Sequence, residues 1–414
     1  MASSRKLPRL RPDPGALVAP VLAAALFLAG WSALHHGWYA RGEIVDTPVY
    51  ERYGNAIESG QVPYRDFRLE YPPGALPAFA VPALASERGD EEGFRGAFEA
   101  LIALCGVAGA AFVAVALRRL GAAPLALASG VVVAALGPLA LGSVVLTRFD
   151  LLPAALTAAA LAAFVAGRDR LGFGVLGAAV AVKLYPAVLV PLALAYAWRR
   201  LGRREALVGL GILAAVVLAV FLPFVVLAPE GVAWSLGRQL GRPLQIESLG
   251  SAFLLAAHQA FGLDLTMRSG HGSQNLAGAG PNVLAGLLSA LQLATLVWIW
   301  AAFGRGAATP ERLVRYGAAA LVAFVALGKV LSPQFLIWLL PVVPLVRGRR
   351  GIAASALLLA ACVLTQLWFP YRYWSLALDF DAAASWLVFA RDLVLVALLA
   401  VLVLPGRRLP PPVS

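Results

Sequence analysis

The run LGFGVLGAAVAVKLYPAVLVPLALAYAW, Leu171 to Trp198, carries one charged residue, Lys183, in an otherwise apolar stretch. Arginines stand at both of its ends, Arg168 and Arg170 before it and Arg199 and Arg200 after it. Arginine beside an apolar end marks the cytoplasmic face of a membrane, so both ends of this run belong on one side. Such a run crosses twice or not at all. Its centre is the tetrapeptide Lys183-Leu184-Tyr185-Pro186, and two short helices meeting there are expected.

The whole chain extends that reading. Of 414 residues, 60% are hydrophobic and 14% charged, and the apolar ones are gathered in long runs. A water-soluble core cannot hide that much apolar surface, which makes this a polytopic membrane protein. Lipid offers no partner to free backbone polar groups, and unalternating Ala/Leu/Val runs select helices over a barrel. The formal charge of +12 sits in short tracts beside apolar ends: Arg118-Arg119, Arg203-Arg204, Arg347 to Arg350 and Arg407-Arg408. That is a topological signal, and no nucleic-acid partner is expected. Cys105 and Cys362 fall inside apolar runs and offer neither a disulfide framework nor metal-ligand spacing. There is no Walker loop, HExxH or paired CxxC, so nucleotide chemistry of the soluble-enzyme kind is not indicated.

Following the arginines gives the organisation. Arg5, Lys6, Arg9 and Arg11 precede an apolar run at 15–34 that imitates a signal peptide but is long enough to span, and it is read as an uncleaved first helix. A large first outer loop follows at 37–96, with amphipathic segments and ten of the chain's 22 acidic residues. Within it, 75–85 is apolar but short and contains Pro77 and Pro82, and is read as lying on or dipping into the outer leaflet. Crossings are expected at 97–117, 124–146 and 151–166, with Thr147 to Asp150 as a tight outer turn, and then at the two limbs of 171–198 and at 206–227. A second outer loop occupies 228–281, and 283–303 returns. The stretch 313–346 again has arginines at both ends and a polar centre, Lys329-Val330-Leu331-Ser332-Pro333-Gln334, so it is read as a second hairpin. Segments 352–368 and 385–404 complete an all-α integral membrane bundle of about twelve transmembrane helices. It forms one domain over 1–414, with both termini inside.

The chemistry is sought where polar residues meet membrane depth. Apart from Lys6, the chain has two lysines, Lys183 and Lys329, each interrupting a double-length apolar run ahead of a proline. An ammonium there costs several kcal/mol unless it meets water or an anion. Each lysine either snorkels from a hairpin turn or binds the phosphate of a lipid-linked substrate. Arg148 and Asp150 are either a self-neutralising pair or part of substrate binding. The first loop contributes Asp46, about ten residues past the first helix, with Tyr50, Tyr53, Asp66, Glu70 and Tyr71. The tyrosines are either interfacial belt residues or the lining of a sugar pocket. Asp46, Asp66 and Glu70 are either solvated loop acids or groups placed to act on an acceptor hydroxyl. The four histidines, His35, His36, His258 and His271, all fall on the outer side and have no pattern that raises them above loop residues.

Several stretches taken in order carry a family resemblance: Asp46, Val49-Tyr50, Gly60 through Pro63-Tyr64-Arg65-Asp66-Phe67, Glu70-Tyr71-Pro72-Pro73-Gly74, Lys183-Leu184-Tyr185-Pro186 and Ser332-Pro333-Gln334. Together they resemble the glycosyltransferase C superfamily, and within it glycosyltransferase family 87, the polyprenyl-phosphate-mannose-dependent mannosyltransferases. The resemblance implies inverting transfer of a sugar, mannose by analogy with relatives, from a polyprenyl-phosphate donor to a lipid or glycan acceptor outside the cytoplasm. It implies Asp46 as the catalytic base. Lys183, Lys329 and Arg148 would then bind the donor phosphate. Tyr50, Tyr53, Asp66, Glu70, Tyr71, Gln245, Glu247 and Gln334 are the candidates for sugar or acceptor contacts. A monophosphate leaving group needs cations rather than a bridging metal, so no metal and no other cofactor is expected. The partners are the donor, the acceptor and membrane lipids, and the site of action is the cell membrane with the active site facing outward. A transporter or flippase of lipid-linked glycans is the rival reading, because it too would be polytopic and charged at membrane depth.

Overall fold

The computed structural model describes residues 17–41 and 44–404. The N-terminal basic residues Arg5 to Arg11 and the Arg407-Arg408 tail lie outside them. Helix α1 (Val18–Ala33) leads into the first loop, which contains α2 (Thr47–Glu58) and α3 (Pro77–Leu84). Then come α4 (Glu91–Arg119), α5 (Pro124–Leu141), α6 (Leu151–Val165), α7 (Asp169–Val182), α8 (Val190–Leu201) and α9 (Arg203–Leu227). The second loop holds α10 (Pro229–Leu240), α11 (Leu249–Phe261) and a hairpin of β1 (Thr266–Gly270) and β2 (Ser273–Ala277). Helices α12 (Ala279–Arg305), α13 (Pro310–Ala326), α14 (Gly348–Gln366), α15 (Tyr373–Asp379) and α16 (Ala382–Val403) complete the described chain.

By length and composition, α4, α5, α9, α12, α14 and α16 can each cross a membrane. Helix α4 starts at Glu91, six residues before the apolar run. Asp90 caps it by accepting from the Gly93 N–H at 2.9 Å, and Glu91 and Glu92 complement the positive end of the helix dipole. The arginine tracts meet at one face. Arg199 donates to the Gly304 carbonyl at 2.8 Å, Arg315 to the Leu402 carbonyl at 2.6 Å, and Arg347 to the Leu120 carbonyl. These bonds occupy carbonyls left free at helix ends. Helix α3, eight residues long, is too short to cross and packs against α2 and α4.

The run that opened the analysis is a hairpin. Gly209 sits against Phe173 and Gly177 against Leu213, so α7 and α9 run parallel and α8 returns between their ends. Helix α7 stops where Lys183 turns extended (φ −155°, ψ 140°), and Pro186, which lacks an N–H, starts a short 3-10 turn instead of continuing the helix. The second lysine run also folds back, but its returning limb is not an α-helix. After α13, Ser332 is extended ahead of Pro333, and 333–345 descends in 3-10 turns interrupted by Pro341 and Pro344. Leu336, Ile337, Leu339, Val342 and Val343 in this limb are fully buried. Irregular backbone at such depth is tolerated only where protein surrounds it.

Two further departures from the sequence reading bear on the site. The turn expected at Thr147 to Asp150 begins at Gly142, whose φ of +89° suits a residue without a Cβ, and 142–150 is buried throughout. The stretch read as a second outer loop is partly built into the bundle. Gln245 N–H donates to the Lys329 carbonyl at 3.0 Å, and Arg391, nine residues into α16, donates to the Glu247 carbonyl at 2.7 Å. Helix α11 then runs back along α16, with Phe253 against Phe389 and Gln259 bonded to the Phe380 carbonyl. The β-hairpin, absent from the all-α expectation, pairs with 244–246: Ile246 N–H donates to Gln274 and Leu276 N–H to Leu244.

Candidate active site

Three interruptions of the bundle, at 142–150, 183–189 and 327–332, end helices of 14 to 17 residues at the side away from the arginines. Helices of that length rise about 21–26 Å, less than the ~30 Å hydrocarbon layer, so their polar turns lie below the membrane surface. The turns border one cavity of about 700 Å³, lined also by the first loop, α10 and the β-hairpin tip. Asp46, Lys183 and Lys329 all line it.

Asp46 stands at the N-cap of α2 but does not cap it. An aspartate there usually gains about 1 kcal/mol by accepting from the first-turn N–H groups. Here the carboxylate turns to Arg148 instead, with Oδ2 3.0 Å from the guanidinium Nε in an ion pair lacking ideal hydrogen-bond angles. Tyr50 donates to the same oxygen at 3.4 Å, so both contacts fall on Oδ2 and Oδ1 carries neither. The base of α2 is fixed by aromatic packing: Tyr50 stacks on Phe79 at 4.9 Å and meets Phe149 edge-on, and Tyr71 meets Phe149 at 4.9 Å. Each such pair contributes about 0.5–1.5 kcal/mol beyond its burial. Glycine at position 74 lets the Pro72-Pro73-Gly74 turn press onto the end of α7, where a Cβ would stand 2.5 Å from the Ala181 carbonyl.

Arg148 and Asp150 do not neutralise each other. Asp150 accepts from Lys183 Nζ at 2.6 Å and from Trp338 Nε1 at 2.5 Å. The ammonium of Lys183 also lies 4.7 Å from the Phe149 ring centre and 5.2 Å from that of Trp338, which stacks on Tyr185 at 4.0 Å. One buried carboxylate thus ties the 142–150 turn to the Lys183 break and to Trp338, in the limb that follows the Lys329 break. Glu70 likewise pairs with Arg238 of α10 at 2.7 Å. The remaining cavity cations, Lys329 and Arg242, form no ion pair with a carboxylate among the described residues. Lys329 donates to the Leu240 carbonyl at 3.0 Å, and Arg242 Nε is buried with no hydrogen-bond partner.

Tyr50, Glu70, Tyr71 and Gln334 line the cavity as well. Tyr53, Asp66, Arg148, Gln245 and Glu247 do not. Tyr53 stacks on Phe67 beside it, and Arg148 lies behind Asp46. Asp66 is tied to Arg65 and to the Val62 N–H, which hold its carboxyl below the ordinary range. Gln245 donates to Ser332 Oγ at 2.7 Å and to the Glu247 carboxyl. Glu247 is buried under α16, and desolvation pushes its carboxyl up to about 8. Sequence reasoning missed Arg242 and Trp338, and it passed over His271, which lines the cavity from the hairpin tip. The signal available for Arg242 was only that an arginine stood far from any arginine-rich end. Among the described residues, no three His, Cys, Asp or Glu side chains form a metal-holding group.

The fold and its apolar helices define a multi-pass membrane protein. Its architecture matches the crystal structure of ArnT from Cupriavidus metallidurans bound to undecaprenyl phosphate, with a TM-score of 0.51 at 16% identity, over 94% of this chain and 77% of that one. The chain itself belongs to glycosyltransferase family 87, whose family model matches residues 69–333. That range takes in the three interrupted turns, Arg242 and His271, and leaves Asp46 just outside it. No curated protein matches the sequence.

Proposed function

We propose that the protein moves a sugar, mannose by analogy with its family, from a polyprenyl-phosphate donor to a hydroxyl of a lipid or glycan acceptor on the extracytoplasmic side of a membrane it crosses about twelve times. The observation carrying this reading is the convergence of Asp46, Lys183 and Lys329, from three distant parts of the chain, on one cavity whose other walls include the apolar Leu184, Val188, Leu236, Leu240 and Phe335. An apolar wall beside unpaired cations suits a lipid phosphate. The undecaprenyl phosphate in the ArnT structure supports a donor of that class.

In this reading Asp46 Oδ1 accepts the proton of the acceptor hydroxyl as its oxygen bonds to the anomeric carbon. The bond from that carbon to the phosphate oxygen breaks, and polyprenyl phosphate leaves with the electron pair. A single displacement inverts the anomeric configuration. Arg148 and Tyr50 hold the other carboxylate oxygen and thereby orient the base. Lys329 and Arg242, lacking carboxylate partners, stabilise the phosphate as its charge grows, and Lys183 assists from the far side. The charge that develops is met by side chains alone, so no metal is required by this scheme.

Replacing Asp46 by Asn keeps the size and removes the basicity. Transfer from polyprenyl-phosphate-mannose by the purified variant is expected to fall by about a hundredfold or more, the scale of a lost general base, while binding of the donor lipid persists. Near wild-type turnover would remove Asp46 from the chemistry.

A further inference from the structure

The β1–β2 turn places a histidine where backbone geometry favours other residues. His271 (φ +56°) and Gly272 (φ +68°) are both left-handed, the pattern of a type I′ turn, for which Asn-Gly and Gly-Gly are the conformationally favoured pairs. The tip is firmly built. The Asn275 amide donates to the Gly270 and Ser273 carbonyls, each at 3.0 Å, and Ser273 Oγ donates to Asn275 Oδ1 at 3.1 Å. The hairpin is tied in turn to 244–246 and so to the Lys329 break. His271, held on this scaffold, lines the cavity, and no described residue hydrogen-bonds to its imidazole. The other histidines are differently placed: His35 bonds Glu99, His258 bonds the Leu263 carbonyl, and His36 is exposed.

The tip also meets the first loop. A Cβ at Gly272 would lie 3.4 Å from Glu70 Oε2, so the hairpin tip adjoins Glu70, and His271 and Glu70 line the same cavity. Arg238 already neutralises Glu70, and Gln239 holds the Glu70 carbonyl at 2.9 Å. With Arg242 and Lys329 assigned to the donor phosphate in the reading above, this wall offers the acceptor hydrogen bonds. A sugar's hydroxyls can donate to a carboxylate and can either donate to or accept from an imidazole.

Resting on the glycosyl-transfer reading above, we propose that His271 contacts the acceptor, a neutral polyhydroxylated sugar, and with Glu70 sets which of its hydroxyls reaches Asp46. His271 is a specificity-determining residue here and takes no proton from the reacting hydroxyl. The strained turn fits that role, because left-handed non-glycine residues persist where the surrounding structure over-determines them, and they cluster at binding sites.

The test uses the full chain in lipid nanodiscs. Equilibrium binding of octyl mannoside, octyl glucoside and octyl glucuronide is measured alongside that of undecaprenyl phosphate, for wild type, His271→Asn and His271→Gly. Both replacements suit the turn, so the hairpin should survive, and asparagine is too short to reach the same ligand atoms. Wild type should bind at least one neutral glycoside and not the glucuronide. Both variants should bind that glycoside tenfold or more weakly, with undecaprenyl phosphate affinity within twofold of wild type. The proposal is overturned if the variants bind the glycoside like wild type, if they lose both ligands equally, or if wild type binds no neutral glycoside or prefers the glucuronide. Failure of wild type to bind undecaprenyl phosphate would instead sink the donor assignment, leaving the glycoside comparison to be read by itself.

Discussion

Glu247 and Arg242 sit five residues apart, yet one is buried away from the cavity and the other borders it. If Arg242 and Lys329 hold the donor phosphate, Arg242→Gln and Lys329→Gln should each raise the donor KM about ten- to a hundredfold, the loss of one charge-assisted hydrogen bond. Steady-state kinetics with varied donor would show it, and an unchanged KM would return the phosphate to Lys183. Glu247 makes the opposite case. With its carboxyl raised from 4.5 to about 8, the folded protein holds a proton there that the unfolded chain releases near pH 4.5. Stability therefore falls as pH rises across that window, and the loss is complete above about 8. Glu247→Gln should flatten that part of the pH profile of thermal unfolding and leave turnover near wild type at pH 7. A large loss of turnover would make Glu247 a substrate contact after all. Lys183, Lys329 and Gln334 were legible as candidates because each is a polar residue interrupting a stretch otherwise suited to lipid, and Asp46 and Glu70 because they are acids of the polar loop that follows the first helix. Arg148 was legible too, but its partner was not, since the sequence-adjacent Asp150 is bonded elsewhere.

At the scale of elements, the first loop works because it is pressed onto α7. Gly74→Ala would place a methyl group 2.5 Å from the Ala181 carbonyl, with only backbone to yield. A loss of about 1–3 kcal/mol of stability is expected, as for overpacking, together with reduced transfer because the loop carrying Asp46 is pushed from Lys183. Gly237→Ala in α10 is the control: nothing lies within 4 Å of its added Cβ, and it should be neutral or stabilising. Thermal unfolding and turnover of the two variants decide the point, and equal behaviour would mean the loop is not seated as described. The two lysine hairpins could be read from flanking arginines and central prolines. The form of the second returning limb could not, because its 3-10 path depends on enclosure by neighbours rather than on its own apolar composition.

For the whole molecule, the gathering of Arg118-Arg119, Arg199 to Arg204 and Arg347 to Arg350 at one face sets the orientation to be tested. Single cysteines at Arg119, Arg203 and Arg349, placed in a chain lacking Cys105 and Cys362, should be labelled only from the cytoplasm. Cysteines at Ser59 and Phe261 should be labelled from outside. Both second-loop and first-loop sites must share a side for the cavity to have one mouth. Cytoplasmic labelling at Phe261 would overturn the active-site orientation.

Hydropathy and charge placement are local quantities, and they were enough to establish a helical membrane protein, its interrupted runs and the polar loop that bears Asp46. The family resemblance rested on such local stretches taken in order. Which charge meets which is not local. The pairings Arg148 with Asp46 and Lys183 with Asp150 arise because turns far apart in the chain end at one depth. The descent of 242–248 and the β-hairpin left no periodic signal, because their order comes from backbone bonds to the Lys329 break and to each other rather than from an apolar face of their own. Tertiary structure alone therefore decided that Lys329 and Arg242 form no ion pair with a described carboxylate, and that His271 lines the cavity.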